Sequence, residues 1–287
     1  MTTAAISVDA TAVRRPSAAS APDTFTALRT LTARRLRLTA HTPREILVPL
    51  TTPILFALVI APALARMIPS AHGLDYKTFV ALGTVGLLVP LSCTFAGLGV
   101  IVDRDSGAHR EMLAAPIRRP LLVLANLGVA LVISSLQLVA LLVAAVVRGA
   151  DFRTGVTGVA WFASATALFA VTSYGIAELM AHRIGKQEEY VGATPAVAIV
   201  PWFLAGSLFP ISAMPAGLTL LAKVLPLTHA LALMRYGLLD GRGAGLHDIW
   251  GMSSPTAMAG LSLAVVAAWA AAMTMLAMRA FHRSTEG

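Results

Sequence analysis

Long apolar runs alternate with short polar breaks along most of this chain. The runs cover residues 46–65, 78–102, 121–147, 158–177, 191–209 and 257–278. Roughly 20 apolar helical residues suffice to cross the hydrocarbon core of a bilayer. In the second run, the glycines would let neighbouring helices approach closely; they are Gly83, Gly86, Gly97 and Gly99. The pattern predicts an all-α integral membrane protein with six transmembrane helices.

One polar break, residues 103–120, carries far more charge than the others. Its charged residues are Asp103, Arg104, Asp105, Arg110, Glu111, Arg118 and Arg119. A charge at the bilayer centre costs about 2.5 to 3.5 kcal/mol, so burying this whole set unpaired would cost on the order of 20 kcal/mol. The segment is therefore predicted to lie outside the hydrocarbon. Residues 108–115 can form a short helix that Pro116 ends, which is either a solvated loop or a helix that docks on a partner protein.

The stretch before the first run has a polar part and an amphipathic part. Residues 1–22 are rich in Ala, Ser and Thr and predict a disordered cytoplasmic tail. In residues 23–44, leucines fall on one side of a helix, and arginines, among them Arg35, fall on the others. This pattern is typical of a helix that lies in the membrane interface, with a solvated basic helix as the alternative. Residues 282–287 are predicted to form a second cytoplasmic tail.

The segment 210–240 is apolar, but prolines break it and Lys223, His229 and Arg235 interrupt it. A seventh span through residues 218–239 would bury these three side chains and would carry the C-terminal arginines outside. We therefore expect a re-entrant pair of short helices on the outer side, with its backbone buried by protein. With six spans and both termini inside, inner lysines and arginines outnumber outer ones by about two to one, as the positive-inside rule requires.

Glu178 falls at the inner end of the fourth predicted span. An acid inside the membrane suggests a function by default, and a proton relay is one interpretation. Because His182, Arg183 and Lys186 follow closely, the sequence favours the alternative that Glu178 reaches the surface and pairs there.

Composition agrees with a membrane protein, since 57% of the residues are hydrophobic and only 13% are charged. A soluble domain carries about 25% charged residues. The formal net charge of +8 would suggest nucleic acid in a soluble domain, but here the arginines cluster in loops that face anionic lipid. The single cysteine, Cys93, excludes an intrachain disulfide, and no metal-binding motif occurs. No G-x-x-x-x-G-K phosphate loop occurs either, so we expect the chain to bind no cofactor and to lack an ATP site.

Three classes of membrane protein can be weighed on the residues alone. An ion-coupled secondary transporter commonly shows internal repeats and ionisable groups at the membrane centre, neither of which is seen. A membrane enzyme would gather its histidines and acids at one face, whereas the histidines here are scattered through separate loops. A membrane scaffold or sensor subunit stays open.

Two stretches share their motifs with one known family. The matching residues of the charged segment are Arg104, Asp105, Gly107, Arg110, Glu111, Met112, Leu113, Ala115, Pro116 and Arg119. Those between the fifth and sixth predicted spans are Leu204, Ala205, Gly206, Phe209, Pro210, Met214, Pro215, Leu225, Pro226, Leu227 and Arg235. At these places the chain resembles type-2 ABC exporter permeases, the group that includes bacterial daunorubicin-resistance-type drug exporters. The resemblance covers about residues 24–281 and implies a permease domain over residues 45–281.

The resemblance also implies a mechanism. Two permease chains, identical or related, would pair with two copies of an ABC ATPase subunit that holds ATP and Mg²⁺, so the chain itself would not be an enzyme. The ATPase-coupling residues would be Arg104, Asp105, Gly107, Arg110, Glu111, Met112, Pro116 and Arg119. The outer-gate residues would be Gly206, Phe209, Pro210, Met214, Pro215, Pro226 and Arg235.

The same resemblance implies a place and a cargo. The protein would cross the bacterial cytoplasmic membrane several times, with both termini in the cytoplasm. It would export an amphipathic drug or natural product, and a lipid or glycolipid is the alternative. The residues that contact the cargo are not identified by the sequence.

Overall fold

The computed structural model describes residues 24–60, 62–63, 76–108, 120–153 and 155–286. Within these ranges all regular structure is helical, which confirms the predicted all-α class. The predictions for the tail at residues 1–22 and for residues 109–119 of the charged segment lie outside the described residues.

Prolines set many of the helix boundaries. Four helices begin with proline, which suits a first turn where the missing amide hydrogen costs nothing. The helices are α1 (Thr24–Ala40), α2 (Pro43–Leu55, continued by a π-helical turn at Phe56–Ile60), α3 (Tyr76–Asp105), α4 (Pro120–Val147), α5 (Val156–Arg183), α6 (Gln187–Leu204), α7 (Ala216–Ala222), α8 (Pro226–Leu238), α9 (Ala244–Trp250) and α10 (Pro255–Glu286). A short 3₁₀ helix at Ile211–Ala213 precedes α7.

Four helices in the described ranges are long and apolar enough to cross a membrane: α3, α4, α5 and residues Pro255–Arg283 of α10. They coincide with the second, third, fourth and sixth predicted spans. Together, α7 and α8 make a fifth candidate that is bent by 80°, as in a broken span or a re-entrant loop. The first and fifth predicted spans correspond to α2 and α6. Helix α2 with its π-helical turn is shorter, and α6 carries two glutamates in its first turn.

The centre of the bundle is formed by α3 and α5. Helix α5 packs against α3, α8 and α10, and α3 also packs against α2, α4 and α6. Helix α3 is buried along most of its length, whereas less than a quarter of the apolar window of α10 is fully buried. The exposed valines and leucine of α4 recur every three or four residues, at Val132, Leu136, Val139 and Val143. Such a stripe is one face of a helix, and here it is a face that lipid can cover.

The predicted close contacts of the α3 glycines are confirmed. All four glycines singled out by the sequence lie against a neighbouring element. A Cβ atom at Gly83 would overlap the carbonyl oxygen of Ser207, and one at Gly97 would overlap the Tyr190 hydroxyl group. These glycines therefore let the turn after α6 and the first turn of α6 lie directly on α3.

Candidate functional site

A tight turn follows α6 and carries the first of the predicted outer-gate residues. Gly206 has a φ of 76°, a backbone conformation that glycine adopts without strain. A Cβ atom at this position would also lie 2.7 Å from a methyl carbon of Ile211. The turn directs the carbonyl groups of Gly206 and Ser207 towards α8.

Arg235 on α8 binds this turn. Its Nη1 atom donates to the Gly206 carbonyl oxygen at 2.8 Å, and its Nη2 atom donates to that of Ser207 at 2.9 Å. The guanidinium carbon lies 3.5 Å from the centre of the Phe79 ring, within the range of a cation–π interaction. Arg235 is only 9% exposed. One buried side chain thus joins α8 to the turn after α6 and to the start of α3.

Arg235 and His229 are both buried by protein. The sequence argument against a seventh span counted these two side chains as a cost of burial in the membrane, and it did not foresee the partners that each finds inside the protein. His229 Nε2 lies 2.9 Å from the Lys223 carbonyl oxygen, and Nδ1 lies 3.2 Å from the Ser262 hydroxyl oxygen. Buried polar groups are tolerated when their hydrogen bonds are made. The charge pattern alone therefore could not place α8.

A cavity of about 450 Å³ lies beside the turn. Four of the predicted outer-gate residues line it, namely Gly206, Phe209, Pro210 and Arg235. The other three do not: Met214 and Pro215 lie between the 3₁₀ helix and α7, and Pro226 begins α8. The structure therefore brings part of the predicted gate together around one cavity.

The sequence did not reveal the far wall of this cavity. Polar residues of α9 and of the turn before it line that wall, namely Asp240, Arg242, His247 and Asp248. Helix α9 has only seven residues and lies in a stretch where no element was predicted. Asp240 was a usable sequence signal for α9, because an aspartate commonly precedes a helix and accepts hydrogen bonds from its first amides. In the structure its carboxylate accepts hydrogen bonds from the Arg242 and Ala244 amides.

At the other end of the bundle, the described part of the charged segment binds the loop between α5 and α6. The Arg104 guanidinium group donates to three carbonyl oxygens at 3.3 Å each, those of Ala181, Ile184 and Gly185. The Asp105 carboxylate accepts a hydrogen bond of 3.2 Å from the Gln187 amide nitrogen. Two predicted coupling residues thus contact the connection between α5 and α6 of the same chain.

The remaining predicted coupling residues follow α3. Gly107 has a φ of 80°, and nothing lies within 4 Å of the place where its Cβ atom would be. Glycine is therefore required there by the backbone conformation and not by packing. The other coupling residues, Arg110, Glu111, Met112, Pro116 and Arg119, lie outside the described residues.

An ion pair ties α1 to the same end of α3. Arg35 Nη1 lies 2.8 Å from Asp103 Oδ2, and the two side chains are 15% and 12% exposed. The Arg35 guanidinium group also covers Gly99. The prediction that the arginines of α1 keep to its polar sides is therefore wrong for Arg35, because Asp103 offers a partner inside the bundle.

Glu178 lies inside the bundle and not at the surface. The side chain accepts a hydrogen bond of 2.5 Å from the Tyr174 hydroxyl group, and its other oxygen lies 3.2 Å from His182 Nε2. The predicted partner His182 is confirmed, but the predicted surface position is wrong. Helix α5 continues to Arg183 instead of ending at residue 177, so Glu178 points into packed protein. The sequence analysis missed the Tyr174 donor. Tyr174 lies four residues before Glu178, a spacing that makes two side chains neighbours on a helix.

At both ends of the bundle, the charged side chains described above form hydrogen bonds or ion pairs that join neighbouring helices and turns. Over the described ranges, no three His, Cys, Asp or Glu side chains come together in a way that could hold a metal ion. Chemically, the Arg235 end of the bundle provides a cavity with a cation in its wall. The Arg104 end provides hydrogen bonds that connect the charged segment, α1 and the α5–α6 loop.

A comparison with known protein families gives one match. The family model described as ABC-2 type transporter matches residues 26–239, which is more than half of the chain. The matched region begins within α1 and ends just after α8, so it contains both the charged segment and the turn that Arg235 binds. No curated protein matches the chain.

Proposed function

Because the chain belongs to the ABC-2 type transporter family, we propose that it is the permease subunit of an ATP-driven exporter of amphipathic molecules. The family match carries this proposal, since it covers a membrane domain whose apolar helices flank one strongly charged segment. In the proposal, an ATPase outside the membrane acts on the helices through this segment.

In the proposed complex, ATP and Mg²⁺ bind to a separate ABC ATPase, of which two copies serve two permease chains. The absence of a phosphate loop from the whole sequence supports this division of labour. Arg110 and Glu111 contact the ATPase. Arg104 then passes the movement to the α5–α6 loop and Asp105 to the start of α6, which they already contact.

The proposed topology has six spans in a bacterial cytoplasmic membrane, with both termini in the cytoplasm. It requires α2 and α6 to cross together with the four longer helices. Both helices expose apolar side chains, among them Leu47, Val48 and Leu55 on α2 and Val191, Val200 and Phe203 on α6. In the proposal a second permease chain, identical or related, covers these faces.

The proposed cargo is an amphipathic drug or natural product. Its support is the apolar character of the spans and the cavity at the outer end, which lies within the usual size range of small-molecule sites. A lipid or glycolipid is the alternative cargo that the same apolar surfaces would suit.

Co-purification tests the central claim. The chain is expressed with the ATPases encoded beside its gene, purified in detergent and reconstituted in liposomes for ATPase assays. A stable complex of two permease and two ATPase chains with ATP hydrolysis is expected. A folded membrane protein that binds none of these ATPases would refute the proposal and favour a scaffold or a secondary transporter.

The double variant Arg110→Ala and Glu111→Ala tests the coupling role. We expect it to insert and to bind cargo but to lose cargo-stimulated hydrolysis. The matched control is Lys186→Ala with Glu189→Ala, an exposed pair of opposite charges on the other cytoplasmic link. Normal cargo stimulation in the first double variant would remove the coupling role from these residues.

A further inference from the structure

The cavity at the outer end has an apolar wall of aromatic and aliphatic side chains. They include Tyr76 and Phe79 from α3, Phe209 and Ile211 from the turn region, and Leu239 after α8. The volume of about 450 Å³ is in the range of sites that take small organic molecules. The cavity lies within one chain and does not depend on a second permease copy.

A cation without a counter-ion lies in this wall. Arg235 lines the cavity and is more than nine-tenths buried. Its Nη atoms donate to backbone carbonyl groups, but its Nε atom is buried with no hydrogen-bond partner among the described residues. Across the described ranges no carboxylate forms an ion pair with Arg235. A buried charge is costly unless it is paired, and a negative group in the cavity would supply the missing counter-ion.

The acids that line the cavity are already engaged elsewhere. Asp240 accepts two backbone hydrogen bonds in the turn before α9. Asp248 accepts a hydrogen bond of 3.1 Å from the Ser212 hydroxyl group. Neither carboxylate forms an ion pair with Arg235, whose guanidinium group lies in the apolar, aromatic part of the wall.

We propose that this cavity binds an acidic amphiphile, whose apolar part lies against Phe79, Phe209 and Leu239 and whose carboxylate or phosphate lies against the guanidinium group of Arg235. Such a group could belong to a membrane lipid or to an exported acid. The placement at the outer side rests on the proposed topology. The binding test needs neither ATP nor an ATPase, so its failure would leave the exporter proposal standing.

The test compares dodecanoate with dodecanol, two probes that share a chain and differ in charge. Radiolabelled probes are titrated onto the purified full-length protein in phosphatidylcholine nanodiscs. The wild type is expected to bind dodecanoate at least about tenfold more tightly, the factor that one hydrogen bond to a charged group contributes. Equal affinities for the two probes would overturn the proposal.

Arg235→Gln separates charge recognition from structural support. The variant should lose the preference for the acid while still binding the alcohol, whereas an equal loss for both probes would mean that Arg235 only holds the turn. Arg153→Gln is the matched control, because Arg153 is exposed on the same proposed side and does not line the cavity. It should keep the preference.

Ala232→Phe tests the location without touching the charge. Ala232 lines the cavity, so a phenyl ring there should weaken both probes together. Unchanged binding of both probes would place their site elsewhere and overturn the proposal. This variant keeps the test decisive if Arg235→Gln does not fold.

Adding phosphatidylglycerol to the nanodiscs identifies the source of the acid. Displacement of dodecanoate by this lipid would assign the site to an acidic lipid headgroup. Undiminished dodecanoate binding would assign it to a free acid that the transporter delivers or releases. Both outcomes require the acid preference of the wild type.

Discussion

Arg235 at the proposed outer end and Arg104 at the proposed cytoplasmic end make similar hydrogen bonds in different surroundings. Each guanidinium group donates to carbonyl oxygens just beyond the C-terminus of a helix, Arg235 after α6 and Arg104 after α5. Such carbonyl groups lack partners in the helix, and a cation satisfies them well. Arg235 is buried, however, whereas Arg104 is exposed.

The difference in burial separates a fixed contact from an adjustable one. When a buried donor is lost, the carbonyl groups it served keep no partner, and the full cost of their desolvation appears. When an exposed donor is lost, water replaces it. We infer that Arg235 fixes the outer turn on α3 and α8, and that Arg104 lets the charged segment shift against the α5–α6 loop at little cost.

Arg235→Ala should have the largest effect. It leaves the Gly206 and Ser207 carbonyl groups without their donor and removes the cation from the Phe79 ring. Because each buried acceptor left unsatisfied costs about 1 to 3 kcal/mol, we expect a total loss of about 2 to 4 kcal/mol. The measurement is denaturant or thermal unfolding of the purified protein in detergent. Arg242→Ala, which removes an exposed arginine of the same region, should change stability by less than about 0.5 kcal/mol. Equal effects of the two variants would contradict the idea of a fixed outer contact.

Gly83→Ala should have the next largest effect. Its Cβ atom would overlap the Ser207 carbonyl oxygen, and backbone cannot yield as a flexible side chain can, so the turn must move off α3 at a cost of about 1 to 3 kcal/mol. Gly260→Ala in α10 is the control, because nothing lies within 4 Å of that position. Alanine favours a helix over glycine, so the control should be neutral or stabilised by up to about 1 kcal/mol. The free energy of unfolding of both variants is measured in the same detergent. A Gly83→Ala variant as stable as the wild type would show that the turn can move freely.

Run length and hydropathy were enough to predict α3, α4 and much of α10. The second and third predicted spans differ from these helices by a few residues, because a long apolar run has few other ways to satisfy its backbone in lipid. The end of α5 was misplaced at residue 177 because Glu178 was taken as a surface residue. A count of charges gives each ionisable group a cost of burial, but it does not show whether the folded protein provides a buried partner for that group.

The candidate sites depend on partners that are distant in the sequence. Arg35 and Asp103 lie 68 positions apart, and Arg235 meets carbonyl groups 28 and 29 positions before it. A single sequence gives no sign of such pairs, because the acceptors are mostly backbone groups that every residue carries. The motifs did locate Gly206 and Arg235, but the cavity they share arises from tertiary packing with α9.

The Arg35–Asp103 pair sharpens the comparison at the Arg104 end of the bundle, since it is less buried than Arg235 and less exposed than Arg104. A double-mutant cycle with Arg35→Gln and Asp103→Asn should give a coupling energy of about 1 kcal/mol, the upper end for partly exposed pairs. The exposed Lys186–Glu189 pair, at 3.7 Å with both side chains more than half exposed, should give a coupling below about 0.5 kcal/mol. Two equal coupling energies would mean that burial does not set the strength of these contacts.

Arg104→Ala should have the smallest effect on stability and so provides the direct counterpart of Arg235→Ala. Its three hydrogen bonds are each 3.3 Å long; two of them are exposed and the one to Ala181 is partly buried. Water can replace the exposed ones, so we expect a loss of about 0.5 to 1 kcal/mol. The same unfolding assay measures it, and ATPase activity with the partner subunit provides a second readout. If the charged segment moves the α5–α6 loop through Arg104, cargo-stimulated hydrolysis should fall even though the protein stays folded. A loss of stability as large as that of Arg235→Ala would instead make both ends fixed contacts, and the movement would have to be sought beyond Gly107.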